Sequence, residues 1–227
     1  MVLMKRIVFV VNIDWFFLSH RLPLALEAIK RGHDVYLLTA NSGKRSEIEG
    51  YGINFIEVPF DRSGKNVFHE LKCINKLASD YKRLKPDIIH HVTLKAALLG
   101  SIAAKISGNL KVVNAISGLG YNFTDGRNGP LQKFIRFMMR KSFKSDRFYF
   151  ILQNPDDIEM MESQKLVPEN HYRLIKGSGV DLNEFPYTQP VIKDKIQILF
   201  PARILYDKGV IELIEAAKSL EKDWKGK

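Results

Sequence analysis

The sequence has one cysteine, Cys73, among its 227 residues, and it has no long apolar run. A single cysteine excludes a disulfide framework and a cysteine-rich metal site, and it is typical of a reducing compartment. No apolar run approaches the roughly 20 residues of a membrane span. The apolar amino terminus looks like a signal peptide, but Asn12 and Asp14 interrupt it and no A-x-A cleavage site follows. We therefore expect a soluble, cytoplasmic protein.

Acidic residues are too few to balance the basic ones, since 25 Asp and Glu face 35 Lys and Arg and give a formal charge of +10. Such a charge attracts nucleic acid, acidic lipid headgroups or phosphorylated small molecules, and it can equally serve solubility alone. Hydrophobic residues make up 45% of the chain, which is ordinary globular composition and excludes a disordered protein.

Short apolar runs alternate with helical patterns along most of the chain. Strands are predicted at 5–11, 34–39, 53–58, 87–92, 111–116, 147–152 and 172–175. Helices are predicted after Ser19, which could cap the first of them, and at 67–84, 96–106, 130–144 and 155–166. Continuous apolar strands joined by short helical connections predict an α/β fold, a Rossmann-like doubly wound parallel sheet.

The pattern restarts after a linker at 184–195, which has two prolines and mixed charge. A buried strand at 196–202 and an amphipathic helix at 209–220 are predicted there. One strand and one helix cannot close a core, so we interpret 1–190 as one domain. Residues 191–227 would be the linker and the start of a second, truncated Rossmann-like domain.

Ligands of open parallel sheets bind outside the carboxyl ends of the strands. The first such loop, 12–21, reads NIDWFFLSHR and places His20 and Arg21 at the mouth of a helix, where an arginine can grip a phosphate or carboxylate. Its aromatic residues could instead form a packing plug, with His20 an ordinary neighbour. No G-x-G-x-x-G follows this strand, which argues against a dehydrogenase-type nucleotide site.

Other polar residues follow the next strands. His90 and His91 end the fourth strand, and because side chains alternate, at most one faces the cleft. A polar cleft wall is favoured over a metal site, since no Cys or acidic partner stands at ligand spacing. The residues that we expect in the cleft are Asn12, His91, Lys95, Ser117, Gly118 and Gly120. The glycines are equally compatible with a structural turn.

The predicted helix at 130–144 is strongly basic. Leu131, Phe134, Ile135 and Met138 are expected to face the core, and Phe137 and Phe143 to lie among the basic residues. Such a helix could lie on anionic headgroups, or it could be an ordinary solvated face. The residues assigned to the membrane are Lys133, Arg136, Phe137, Arg140, Lys141 and Lys144. Nucleic-acid binding is a weaker alternative, because no RNA- or DNA-binding motif is present.

A further basic pair stands in the restarted segment, where Arg203 ends a predicted strand and Lys208 precedes Gly209 at a helix start. A cation at a strand's carboxyl end, a second at the next helix and the free helix amides together favour a diphosphate site.

The chain as a whole resembles the family-4 glycosyltransferases, which have the GT-B fold, two facing Rossmann-like domains, and work with retention and without metal. The motifs that carry the resemblance are KRIVFVV, PDIIHH, GLGYNF, QNPDD, GSGVDLNEF and ARILYDKGVIELIEAAKSL. The GLGYNF and QNPDD pair is most similar to the branch that builds capsule, O-antigen (lipopolysaccharide) or other glycan precursors on undecaprenyl diphosphate.

The resemblance implies an acceptor-binding domain over 1–190 and the start of a nucleotide-sugar domain after it, in which Arg203 and Lys208 hold the donor diphosphate. It implies a hexosyl or N-acetylhexosaminyl transferase that uses a UDP-sugar and a lipid-linked saccharide, needs no cofactor or metal, and works on the cytoplasmic face of the plasma membrane. Nucleic acid is not among the implied partners.

Two positions depart from the family pattern. Ser117 stands where many members have a histidine, and FFLSHR stands where many have a Gly-Gly turn, so we assign the missing contacts to His20 and Arg21 as catalytic residues. The family's E-x7-E motif would lie beyond Lys227, so we expect this chain alone to be inactive. The alternative is a stand-alone acceptor-binding half that pairs with a separate donor-binding chain.

Overall fold

Seven parallel strands form one sheet in the order β3-β2-β1-β4-β5-β6-β7. The computed structural model describes residues 3–61, 66–118, 129–189, 198–202, 204 and 206–220. The strands are β1 Arg6–Ile13, β2 Asp34–Ala40, β3 Asn54–Glu57, β4 Ile88–Val92, β5 Val112–Ile116, β6 Phe148–Leu152 and β7 Tyr172–Leu174. All seven coincide with predicted strands, so the doubly wound parallel sheet is confirmed.

Helices connect the strands. They are α1 Asp14–His20, α2 Leu22–Lys30, α3 Arg45–Gly50, α4 Val67–Leu84, α5 Leu94–Ser107, α6 Pro130–Phe143, α7 Pro155–Ser163 and α8 Val210–Leu220, with a short 3-10 turn at Tyr206–Lys208. Helix α4 begins after Asn66, whose side chain accepts hydrogen bonds from Phe68 N and His69 N. It ends before Lys85, which adopts the left-handed conformation ahead of Pro86.

The sheet has an apolar core on each face. One core packs α4, α5, α6 and α7 against the sheet, and the other packs α1, α2 and α3 against it. Residues Val8–Val11 of β1 are buried, alternately in the two cores. A central strand with helices on both sides has no polar face, which is why its sequence is a continuous apolar run.

Three predictions about the helices were wrong. Residues 14–20 form α1 instead of a loop, and the Ser19 hydroxyl donates back to Trp15 O and Phe16 O instead of capping α2. Helix α6 also presents a different face to the core than predicted, because Phe143 is buried whereas Phe134 is 58% exposed. Helix α6 packs on α5, and its buried residues there are Met139 and Phe143. These lie about one helical turn further along the chain than the residues that were expected to face the core. The side chain of Leu131 lies outside the described residues.

The chain divides into two compact units, Met1–Ser178 and Gly179–Lys227. The first ends twelve residues before the boundary expected at 190. In the second, the described residues 198–202 form no strand, and Ile198 and Leu199 are exposed, so a buried strand over this stretch is not found. Helix α8 buries no residue within the described part of the chain. A strand is stabilised by neighbours on either side, and the described residues of this unit supply none.

Candidate functional site

The strand order reverses direction between β1 and β4, the neighbours at the centre of the sheet. This is the switch point, outside which doubly wound sheets bind ligands. The register between β1 and β2 shifts between Val11 and Ile13, which leaves Asn12 without a partner residue on β2. Its Oδ1 accepts a hydrogen bond of 2.8 Å from the hydroxyl of Thr93, directly after β4. Asn12, an expected cleft residue, therefore lies at the switch point.

Thr93 has an unusual backbone conformation, with φ at 81°. A β-branched residue rarely adopts positive φ, and such strain of about 1–3 kcal/mol is concentrated at functional sites. The residue is also the N-cap of α5 and accepts a hydrogen bond of 3.5 Å from Ala96 N. The sequence places Thr93 at the strand end but gives no sign of its conformation.

Asp14 fixes the connection after β1. It is fully buried, and its carboxylate accepts hydrogen bonds from Trp15 N, Ser42 N and Lys44 N at 2.7, 2.7 and 3.1 Å, and from the Ser42 hydroxyl. Burial alone would raise the pKa of Asp14, but these hydrogen bonds outweigh it and lower the pKa below its usual value. The loop after β2 is thereby tied to α1 at the carboxyl edge of the sheet.

His20 and Arg21 lie together at the junction of α1 and α2 but in different surroundings. The imidazole of His20 is exposed, stacks on Phe16 with ring centroids 4.0 Å apart, and is hydrogen-bonded through Nδ1 to Ser19 Oγ at 2.7 Å. Arg21 is only 8% exposed, and its Nη1 donates to His20 O at 2.9 Å and to Ser178 Oγ at 2.7 Å. Burial lowers the pKa of Arg21.

The expectation that His91 lines the cleft is wrong. Its side chain is fully buried on the α4 and α5 side of the sheet, where Tyr81 Oη donates to Nε2 at 2.8 Å and Nδ1 donates to Asn114 Oδ1 at 2.7 Å. Asn114 Nδ2 in turn donates to Ser101 Oγ at 3.1 Å. Burial lowers the pKa of His91 to about 4, so the ring is neutral at physiological pH and has a structural role.

Lys95 lies in the first turn of α5. Its Nζ donates to Glu70 Oε1 at 2.6 Å and to Asp61 O at 2.5 Å. Cys73 is buried nearby, and burial, reinforced by Glu70, raises the pKa of its thiol to about 12. The thiol is therefore protonated and a poor nucleophile.

Of the three residues expected after β5, Ser117 is exposed and Gly118 is partly buried with φ at 135°, a conformation that favours glycine. Gly120 lies outside the described residues. Of the donor pair, Lys208 is exposed and precedes Gly209 and helix α8, as predicted, whereas Arg203 lies outside the described residues.

The basic residues of α6 are mostly at the surface. Lys133, Arg140, Lys141 and Lys144 are exposed and Arg136 is partly buried, with Phe134 and Phe137 58% and 52% exposed beside them. Lys105 adds a charge from α5, because its Nζ donates to Lys141 O at 2.5 Å. Burial lowers the pKa of Lys105, and Lys141 and Lys144 lower it further. We call the exposed residues Lys133, Phe134, Phe137, Arg140, Lys141 and Lys144 the α6 basic face.

The described residues include no cluster of three or more His, Cys, Asp or Glu side chains placed to hold a metal ion. In the same part of the chain, no helix is long and apolar enough to span a bilayer.

A cavity of about 450 Å³ lies beside β3 at the edge of the sheet. It is lined by Tyr36, Asn54 and Arg83 among others, and it is separate from the switch point.

Comparison with known proteins gives a consistent result. The model of the family described as Glycosyl transferase 4-like matches residues 6–154. CapM, a capsular polysaccharide biosynthesis glycosyltransferase of Staphylococcus aureus, is 22% identical over 200 residues, which cover 83% of this chain and 51% of CapM. The chain thus spans about half the length of this relative.

Solved structures show the same fold at low identity. A glycosyltransferase of Rickettsia africae matches with a TM-score of 0.67 and 20% identity, over 97% of this chain and 58% of its own. Anabaena HepE, solved with UDP and glucose, matches with a TM-score of 0.51 and 16% identity, over 79% of this chain and 46% of its own. The first unit therefore has the fold of a GT-B domain.

Proposed function

The chain belongs to the Glycosyl transferase 4-like family, and from that premise we propose that it is part of a retaining transferase for bacterial surface polysaccharide. The enzyme would move a hexosyl or N-acetylhexosaminyl unit from a UDP-sugar to a saccharide on undecaprenyl diphosphate. The family match over residues 6–154 carries this proposal, because it contains β1 to β6 and thus the switch point between β1 and β4. The similarity to CapM supports a capsular product, and HepE with UDP and glucose supports the donor class.

The first unit would bind the acceptor, and the second would begin the nucleotide-sugar domain. In the transfer step, the bond between the anomeric carbon and the diphosphate oxygen breaks while an acceptor hydroxyl forms a new bond to that carbon. Retention requires attack from the face that the diphosphate leaves, and the hydroxyl proton passes to the departing phosphate oxygen. Arg203 and Lys208 would stabilise the negative charge that develops there, without a metal ion.

His20 and Arg21 are proposed to contact the reacting groups from the first unit. The exposed imidazole of His20, held by Phe16 and Ser19, is accessible to an acceptor. Asn12, Lys95, Ser117 and Gly118 lie at the carboxyl ends of β1, β4 and β5, so they are proposed to line the acceptor cleft.

Because the proposed acceptor is anchored to a membrane lipid, the protein would have to work at the membrane surface. We propose that the α6 basic face lies on the anionic cytoplasmic surface of the plasma membrane, because exposed aromatic rings among cations suit the headgroup region. Lys133, Lys141 and Lys144 form no ion pair within the described residues, so their charges are available to lipid.

The test is sugar transfer by the complete protein in which this chain occurs, from a panel of UDP-sugars to a polyprenyl-diphosphate-linked saccharide in the presence of EDTA. Lys208→Ala is expected to lower kcat/KM by about 100- to 1000-fold, the loss typical of a group that stabilises transition-state charge. Lys218→Ala, which removes an exposed lysine from the end of α8, is the matched control. Full activity of Lys208→Ala would reject the donor role, and no transfer from any UDP-sugar of the panel would reject the proposed function.

A further inference from the structure

Within the described residues, Arg21 is a buried cation without a counter-ion. Its two side-chain hydrogen bonds in the described part of the chain both come from Nη1, and both acceptors, His20 O and Ser178 Oγ, are neutral. No carboxylate in that part of the chain lies within ion-pair distance, and Nε and Nη2 have no hydrogen-bond partner among the same residues. Buried charges in proteins are normally paired, so this guanidinium has unused capacity for an anion.

His90 provides a second, independent observation. It is 7% exposed, and its Nε2 has no hydrogen-bond partner among the described residues. The ring lies edge-on to Phe9, with centroids 5.4 Å apart, on the face of the sheet that α1 and α2 cover. Burial lowers the pKa of His90 to about 3, and the charge of Arg21, which acts on the ring, lowers it too. The imidazole is therefore neutral, close to Arg21, and able to donate from Nε2.

Both residues lie at the switch point, His90 near the end of β4 and Arg21 as the N-cap of α2. The first turn of α2 receives no hydrogen bond from an N-cap side chain, so its partial positive charge adds to that of Arg21. Ser178 is exposed, and its hydroxyl accepts from Arg21 while its own proton remains able to donate. Ser178 is hydrogen-bonded to Arg21 and the charge of Arg21 acts on His90, so two side-chain donors lie near this cation.

We propose that Arg21, His90 and Ser178 bind a phosphoryl group of a substrate. The free Nε and Nη2 of Arg21 would donate to two phosphoryl oxygens, and His90 Nε2 and the Ser178 hydroxyl would donate to the others. The bound anion would neutralise the buried guanidinium. The identity of the substrate rests on the proposed function, which offers two sources of this chemistry, the diphosphate of a nucleotide sugar and that of a polyprenyl acceptor.

The experiment measures binding of inorganic pyrophosphate to the 227-residue chain by calorimetry at low ionic strength. Arg21→Gln is expected to weaken binding by 10- to 100-fold, and His90→Phe and Ser178→Ala by about 2- to 10-fold each, as for charged and neutral hydrogen bonds. Arg31→Gln makes the same change at the other end of α2, in an exposed residue paired with Glu27, and is expected to leave binding unchanged. Equal affinity of wild type and Arg21→Gln, or no binding to wild type, would overturn the proposal.

A melting curve separates a binding role from a structural one. Because the buried charge of Arg21 has no ion-pair partner among the residues that the structure describes, Arg21→Gln is expected to leave the melting temperature of the free chain unchanged or to raise it. A lower melting temperature with unchanged pyrophosphate affinity would mean that Arg21 is structural.

Competition identifies the source of the phosphoryl group. UDP represents the nucleotide sugar and farnesyl diphosphate represents the polyprenyl acceptor. The compound that represents the true source should displace pyrophosphate from wild type and bind Arg21→Gln more weakly. Failure of both to compete would overturn the assignment to a substrate. Binding does not require transfer, so a protein that binds diphosphate here but transfers no sugar would reject the proposed function and keep the phosphoryl site.

Discussion

Gly100→Ala is expected to destabilise the first unit by about 3 kcal/mol, at the upper end of the cost of overpacking a core. A Cβ atom on Gly100 would meet His91, with its Cδ2 and Cε1 only 2.6 and 2.7 Å away and Nε2 closest of all. The ring cannot move aside, because Tyr81 and Asn114 hold its two nitrogens. For a protein of this size, the melting temperature should fall by about 6–12 °C.

Gly50→Ala is the matched control, made at the last residue of α3. No atom lies within 4 Å of a Cβ placed there, so alanine should be neutral or stabilise the helix by about 0.5–1 kcal/mol. Thermal unfolding followed by circular dichroism compares the two variants. If Gly100→Ala has the same melting temperature as Gly50→Ala and the wild type, α5 does not pack closely against His91.

The second large expected effect is a loss of membrane binding when lysines of the α6 basic face are replaced. Replacing Lys133, Lys141 and Lys144 by glutamine is expected to weaken binding to vesicles of phosphatidylcholine and phosphatidylglycerol by about 100-fold. Each basic residue near an anionic surface contributes about 1 kcal/mol, so three removals sum to roughly 3 kcal/mol. Co-sedimentation at physiological ionic strength measures the loss, and vesicles of phosphatidylcholine alone should bind little of either protein.

The control variant replaces Lys72, Lys82 and Lys176 by glutamine, three exposed lysines outside the α6 basic face that form no ion pair within the described residues. It lowers the net charge by the same amount. Equal losses in the two variants would show that the protein responds to total charge, and the proposed orientation on the membrane would be wrong.

The central strands β1, β2, β4 and β5 could be predicted from the sequence because most of their residues are buried, and parallel strands covered on both faces leave no polar alternation to obscure them. Helix α1 was missed because its signals are atypical. Its N-cap, Ile13, has no capping side chain, and α2 follows immediately with Pro23 near its start. Three consecutive aromatic residues therefore looked like a plug in a loop.

The sequence indicates which polar residues lie at the carboxyl edge of the sheet but not how their side chains are arranged. Alternation along β4 showed that one of His90 and His91 faces each side, yet the sequence does not tell which side holds Tyr81 and Asn114. That network makes His91 structural and leaves His90 beside Arg21. The contact of Arg21 with Ser178 spans 157 positions and has no local signal in the sequence.

The central claim is that substrate binds at the carboxyl edge of the sheet, at the switch point between β1 and β4. Hydrogen–deuterium exchange of the 227-residue chain, with and without pyrophosphate, tests it most directly. Bound ligand is expected to slow exchange in peptides that cover 12–22, 90–95 and 175–178, and to leave 50–57 beside the β3 cavity unchanged. Protection confined to 50–57, or none at the switch point, would contradict the claim.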